Sequence, residues 1–274
     1  MNHARAYSLN MPNMNITGLS ENWLFKEVGD IHWAMICAGL GANSSDLVDE
    51  GGNRLYATFT RLRMQCTGSL TDFRENEKVE IAAEESRFGA GLFFSQANLT
   101  GAKCNIRADV MSAFSRRDGT GNTSLLKGQP LIPDDCAISE LAAMPDFGNG
   151  YRAQRNQNYG TCIFETAYDI HPYYDINGVG LLYFASYPMI NDFCEMKFFS
   201  GAHKQVGFWP AASATASRDV HYFSNCDPDD GVIYRLHQLE LTDAGATMIS
   251  TLSRRSDGAR MADLITTKRR LPPA

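Results

Sequence analysis

The sequence predicts an α+β protein in which one long helix wrapped by an antiparallel sheet occurs twice. Three observations carry this. A stretch of helical periodicity near the N-terminus is followed by several short alternating segments, and the same order of elements returns after a proline- and glycine-bearing link. The second round opens on a polar turn with two glycines, Asp175-Ile-Asn-Gly-Val-Gly180, that runs into the apolar stretch Leu181–Tyr187.

The first round begins with a polar leader. Trp23 to Val28 and then Asp30 to Leu40 follow, with Ile31, Ala34, Met35 and Ala38 at the three- and four-residue spacing of a buried helix. After the Gly51-Gly52-Asn53 turn, Leu55 to Met64 alternates apolar and polar positions as a half-buried strand does. Val79–Ala83, Gly91–Leu99 and Asn105–Ser115 continue as strands, and Gly89-Ala-Gly91 reads as a tight turn or bulge between two of them. The second round offers Cys162–Tyr168, the glycine turn with its helix, and then Asp219–Ser224, Val232–Leu241 and Ala246–Arg254. Asp30-Ile31-His32 and Asp175-Ile176-Asn177 each stand at the expected helix of their half, which suggests a duplication. The division expected is 1–127 for the first unit, 128–160 for the link and 161–274 for the second. A helix wrapped by a sheet, doubled in one chain, is the pattern of a double hotdog. Two such units can join their sheets edge to edge and leave a cleft near both helix starts.

Composition narrows the function classes. Apolar residues make up 44% and charged residues 20% of the 274, and no run approaches the ~20 apolar residues that cross a bilayer. The N-terminus has no apolar run behind its basic residue, so a secretory signal is not expected and the cytoplasm is the default location. A net charge of −6 argues against nucleic-acid binding. The basic run Lys268-Arg269-Arg270 reads as a solvated C-terminus. Seven cysteines are scattered singly, without the paired spacing of a zinc or redox site, so buried thiols and no metal are expected.

The segment 173–187 carries the chemistry. Gly178, Val179 and Gly180 can bring backbone N–H groups close to a ligand, and a helix start would aim them at a developing oxyanion. Asp175 and Asn177 flank that position, and Ser186 adds a hydroxyl. Asn177 also reads as an ordinary helix cap. His171-Pro172 just before the turn invites a dehydratase reading. On the other half, Tyr56 lies on the first alternating strand, where its hydroxyl can donate to a carboxylate or an enolate.

The segment resembles the signature of hotdog acyl-thioesterases, Asp-x-Asp-x-x-Gly before an aromatic-rich helix start, but the second aspartate is Asn177 here. An amide donates and accepts hydrogen bonds and cannot activate water as a carboxylate does. The wording Asp-Ile-Asn-Gly-Val-Gly-Leu-Leu-Tyr-Phe-Ala-Ser-Tyr187 is similar to that of the bifunctional acyltransferase/decarboxylase family of leinamycin-type polyketide biosynthesis, and Gly52-Asn-Arg-Leu-Tyr-Ala-Thr-Phe59 with Arg63 is a second likeness. The resemblance implies transfer of a methylmalonyl-type group from coenzyme A to the phosphopantetheine of an acyl carrier protein, with decarboxylation. Tyr56 would stand for the family's catalytic tyrosine, and Asn177 and Ser186 would assist it. Asp175, Gly178, Val179, Gly180 and His171 would bind the substrate. The implied partners are a carrier protein and acyl-coenzyme A, with a homodimer as a compatible assembly and no permanently bound cofactor. A hotdog dehydratase or thioesterase, or a non-catalytic acyl-binding protein, stands as the alternative.

Overall fold

A computed structural model describes residues 1–119, 121–201 and 212–271. In chain order the elements are β1 (Asn2–Ser8), β2 (Met14–Asn15), β3 (Gly18–Leu19), α1 (Glu21–Gly39), β4 (Tyr56–Cys66), β5 (Lys78–Phe88), β6 (Leu92–Thr100), β7 (Asn105–Arg117), β8 (Leu125–Gly128), β9 (Ser139–Glu140) and α2 (Tyr151–Arg155). There follow β10 (Phe164–Asp169), α3 (Pro172–Asp175), α4 (Ser186–Ser200), β11 (Ser213–Tyr222), β12 (Gly231–Thr242), β13 (Gly245–Arg254) and β14 (Arg260–Arg270).

Among the described residues one continuous sheet has the order β1-β5-β6-β7-β4-β11-β14-β13-β12-β10, with β8 and β9 attached to the first half. The order is palindromic about β4 and β11, which pair antiparallel from Gln65↔Ser217 to Arg61↔His221. Each half wraps its own helix. This is the double hotdog, and the expected α+β class holds.

Helix α1 starts on Ser20, whose hydroxyl accepts from Trp23 N–H at 3.3 Å, and buries Leu24, Phe25, Val28, Ile31, Met35 and Ile36 as one stripe. Strand β5 alternates exposed and buried from Lys78 to Glu85, the mark of a sheet with one face on the core. One apolar cluster runs through both halves, and a second, smaller one gathers around Ile36, Leu40, Phe93 and Phe114. No helix among the described residues is long and apolar enough to cross a membrane.

The structure revises several sequence expectations. The polar leader contains β1, which caps the open edge of β5. Trp23–Val28 and Asp30–Leu40 are one helix. Strand β11 begins at Ser213, earlier than Asp219, and β14 was not foreseen. The basic run is no free tail: Lys268 is buried and bonds Asp192 at 2.9 Å and Glu195 at 2.7 Å. The proposed alignment of Asp30–His32 with Asp175–Asn177 fails, because Asp30 and His32 lie in the middle of α1 while Asp175 and Asn177 precede α4. The matching pair is Asn15-x-x-Gly18-Leu19 and Asn177-x-x-Gly180-Leu181. Both asparagine side chains accept the N–H two residues on, Thr17 at 2.8 Å and Val179 at 3.1 Å, and both glycines have positive φ.

Residues 128–160 cross the sheet rather than hang free. Arg61 on β4 grips Asp219 on β11 through two bonds of 2.9 and 2.6 Å, and its remaining nitrogen donates to the Phe147 carbonyl at 2.6 Å. The link is thus tied across the seam of the two halves.

Candidate active site

A cleft of about 680 Å³ opens where the two halves meet. Tyr56 to Thr60 of β4 form one wall, and Gly29, Asp30 and Trp33 of α1 lie beside it. The other wall is the stretch Leu181–Phe184 with Asn177 and Val179, together with Tyr222 to Asn225 at the end of β11. Gly29 makes the arrangement possible. A Cβ there would sit 2.4 Å from the Phe184 ring, so only glycine lets Phe184 lie against α1 and stack on Phe59, centroids 3.9 Å apart at 17°.

The loop before α4 is held by its own asparagine. Asn177 Oδ1 accepts from Val179 N–H at 3.1 Å and Leu181 N–H at 3.0 Å, while Gly180 N–H donates to the Asn177 carbonyl at 2.9 Å. Gly180 takes φ +81°, which a side chain would disfavour. Asp175 is fully buried behind the loop. Its Oδ2 accepts from His171 N–H at 2.8 Å and Tyr168 Oη at 2.9 Å, and its carbonyl accepts from Tyr183 N–H at 2.8 Å and Ser186 Oγ at 3.2 Å. The carboxylate lifts Tyr168's phenol above its usual range, in concert with burial, which is the larger cause.

Residues from outside the segment complete the hold. Asn225 exchanges two bonds with Leu182, at 2.9 and 3.0 Å. Asn122 donates to the Gly180 carbonyl at 2.6 Å, and the Arg117 guanidinium donates to the Val179 carbonyl. Tyr56 sits with Arg54 and Arg117 at 5.3 and 5.6 Å from its ring centre.

Tyr56 and Asn177 therefore face one cleft, and Val179 lines it with them. Asp175 and Ser186 do not line it; they fix the loop from behind. Gly178, Gly180 and His171 are also off the wall, and His171 is an exposed residue that starts α3. The expected helix-start oxyanion site is displaced. Helix α4 begins at Ser186, and the N–H groups of Val179 and Gly180 are spent on Asn177. Leu181–Ala185 is irregular, with a turn at Phe184 and Ala185, and only Ser186 and Tyr187 of the stretch are helical.

The cleft mixes apolar and aromatic surface with the cations Arg54, Lys127 and Arg155. Asp30 is the one carboxylate among the described lining residues, and it pairs with Arg5 at 2.5 Å. No histidine, cysteine or glutamate among the described residues is on the wall. No group of three or more His, Cys, Asp or Glu among the described residues could hold a metal ion. Sequence reasoning passed over Gly29, Phe59, Phe184, Asn122 and Asn225, whose partners are distant in the chain; a helical glycine facing the core was the one local signal.

No protein-family model matches the chain, and no curated protein matches it. Solved structures do. A putative oleoyl thioesterase from Lactobacillus plantarum is 11% identical, with a TM-score of 0.68 over 100% of this chain and 96% of that one. The 12:0-ACP thioesterase from Umbellularia californica is 11% identical, with a TM-score of 0.62 over 98% and 94%. An acyl-ACP thioesterase from Bacteroides thetaiotaomicron is 9% identical, with a TM-score of 0.61 over 98% of both chains. At these identities the likeness is one of fold, and it extends over the whole double hotdog.

Proposed function

We propose that the chain binds acyl thioesters of phosphopantetheine, as coenzyme A or on an acyl carrier protein, in the cleft between its halves and hydrolyses them. The observation that carries this reading is the cleft itself. Its volume suits a small ligand, its walls are apolar enough for an acyl chain, and Arg54, Lys127 and Arg155 suit phosphates or an acidic carrier surface. The whole-length likeness to proteins named as acyl-ACP thioesterases supports it at the level of fold. On this reading Tyr56 donates to the thioester oxygen, and the Asn177 loop fixes the acyl group beside it; both line the cleft.

Transfer and decarboxylation of a malonyl-type group is the second reading. Its support is the wording at 52–63 and 175–187, and one feature of the site: a tyrosine between two guanidiniums, with little carboxylate nearby, suits an anionic acyl group. The two readings separate in one assay. Acyl-coenzyme A from acetyl to palmitoyl, and methylmalonyl-coenzyme A with a phosphopantetheinylated carrier, are followed by free-thiol release and by mass spectrometry of the carrier. Free thiol and carboxylic acid support hydrolysis. A propionyl or methylmalonyl carrier supports the second reading, and no turnover of any thioester contradicts both.

A further inference from the structure

Behind the cleft wall, between α1 and the sheet of the first half, lie three polar side chains in an apolar surround. His32 Nε2 is 2.8 Å from Ser112 Oγ, and His32 Nδ1 is 3.0 Å from Glu85 Oε2. Ser112 and His32 are fully buried and Glu85 is 3% exposed. Such burial is costly and calls for a reason. The order hydroxyl, imidazole, carboxylate is that of an activated nucleophile, its base and the group that orients the base.

Phe59 links this trio to the cleft. Phe59 lines the cleft, is the cross-strand partner of Ser112, and has its ring centre 5.6 Å from that of His32. The strand is irregular at this point. The β4–β7 register slips between Phe59 and Arg61, which leaves Thr60 as a bulge on the cleft wall, a device common beside active sites. Among the described residues the second half has no counterpart. There the helix places Asn191 between Ser250 Oγ, at 2.6 Å, and Glu195 Oε1, at 2.7 Å, and an amide cannot take a proton.

Resting on the hydrolase reading above, the geometry points to Ser112, His32 and Glu85 as a nucleophilic triad that an acyl thioester reaches when Phe59 turns out of the way. His32 carries its proton on Nδ1, toward Glu85. Ser112 Oγ bonds to the thioester carbonyl carbon while its proton passes to His32 Nε2; the C–S bond breaks and His32 returns the proton to the leaving thiolate. Water, giving a proton to His32 in the same way, then attacks the acyl-serine. Carboxylic acid leaves and Ser112 regains its hydrogen. Among the described residues the wall of the cleft has no histidine, cysteine or glutamate, and this step supplies a base.

The test is covalent labelling. The protein is incubated with an alkyl fluorophosphonate, and the adduct is located by peptide mass spectrometry in wild type, Phe59→Ala, Phe59→Leu, His32→Gln and Ser112→Ala, with cooperative unfolding as the check that each is folded. An adduct on Ser112 that forms about tenfold faster in the folded Phe59 variants, and is absent in His32→Gln, bears the inference out. Thioester turnover in Ser112→Ala should fall by about a hundredfold or more. No adduct on Ser112 in wild type and in either folded Phe59 variant overturns it. So does undiminished turnover in Ser112→Ala, which would leave the hydrolase reading standing. If no thioester is turned over by any variant, that reading falls, and the labelling still decides whether Ser112 is a nucleophile.

Discussion

Phe59 of the first half stacks on Phe184 of the second, ring centres 3.9 Å apart, directly over Gly29 of α1. One aromatic contact thus joins the halves, shapes the cleft and uses up the space that a side chain at position 29 would need. Gly29→Ala should raise intrinsic helix propensity by about 1 kcal/mol, yet its Cβ would meet Phe184 at 2.4 Å. Overpacking of this kind costs roughly 1–3 kcal/mol. The expected outcome is net destabilisation in urea unfolding, reversed when Phe184 is also made Leu.

Asn177 acts through its side-chain oxygen, which accepts the N–H groups of Val179 and Leu181. Asn177→Ala removes both bonds and should cost about 1–2 kcal/mol, with weaker acyl-coenzyme A binding by calorimetry. Asn177→Asp keeps an acceptor at the same place and should melt close to wild type. Equal losses in the two variants would contradict this account of the loop.

His221 on β11 is buried, and burial pushes its imidazole down to about 4; nearby Asp219 opposes the shift, while Arg61 and Arg260 add to it. The folded pKa is below the unfolded one, so the contribution is present above about 6.5 and is lost as pH falls through about 4. A shift of this size is worth about 3 kcal/mol. His221→Gln should flatten the stability–pH curve in that window, as read by urea midpoints at a series of pH values.

A largely buried ion network ties the second half to the start of α1. Arg218, fully buried, bonds Asp192 at 2.9 and 3.0 Å and pairs with Glu21 at the start of α1, while Lys268 bonds Asp192 and Glu195. Burial pushes the Asp192 carboxyl up, but Arg218 and Lys268 together outweigh it and hold the group at about 2. Arg218→Met should cost about 3–5 kcal/mol by stranding the Glu21 carboxylate in the interior. Its pH dependence should change as well, because Lys268 alone then holds Asp192 and less of the stability that wild type loses as pH falls through about 2 is present in the variant.

The fold was legible where each element carries its own pattern. The stripe of α1 and the strand segments that became β4 to β7 carry local patterns, and the structure keeps them as helix and strands. Strand β14 was not legible, because Thr266 and Lys268 face inward and look wrong for a strand until Asp192 and Glu195 are set beside them. The apolar stretch Leu181–Tyr187 resembled a helix start, and only the hydrogen bonds of Asn177 and Asn225 show its first part to be a braced loop ahead of α4. That Tyr56 and Asn177 share a cleft followed from the idea of two joined sheets. The contact of Phe59 with Phe184, and the trio of His32, Glu85 and Ser112, depend on pairings between distant strands and helices that no local pattern reveals.

The central claim is that an acyl thioester occupies the cleft between the halves. A non-hydrolysable acyl-coenzyme A thioether, with hydrogen exchange measured by mass spectrometry in its presence and absence, tests this most directly. The account predicts added protection at 54–60, 177–184 and 222–225, segments from both halves that meet only at the cleft. Binding that leaves those three segments unprotected, or protects another face of the sheet instead, would contradict it.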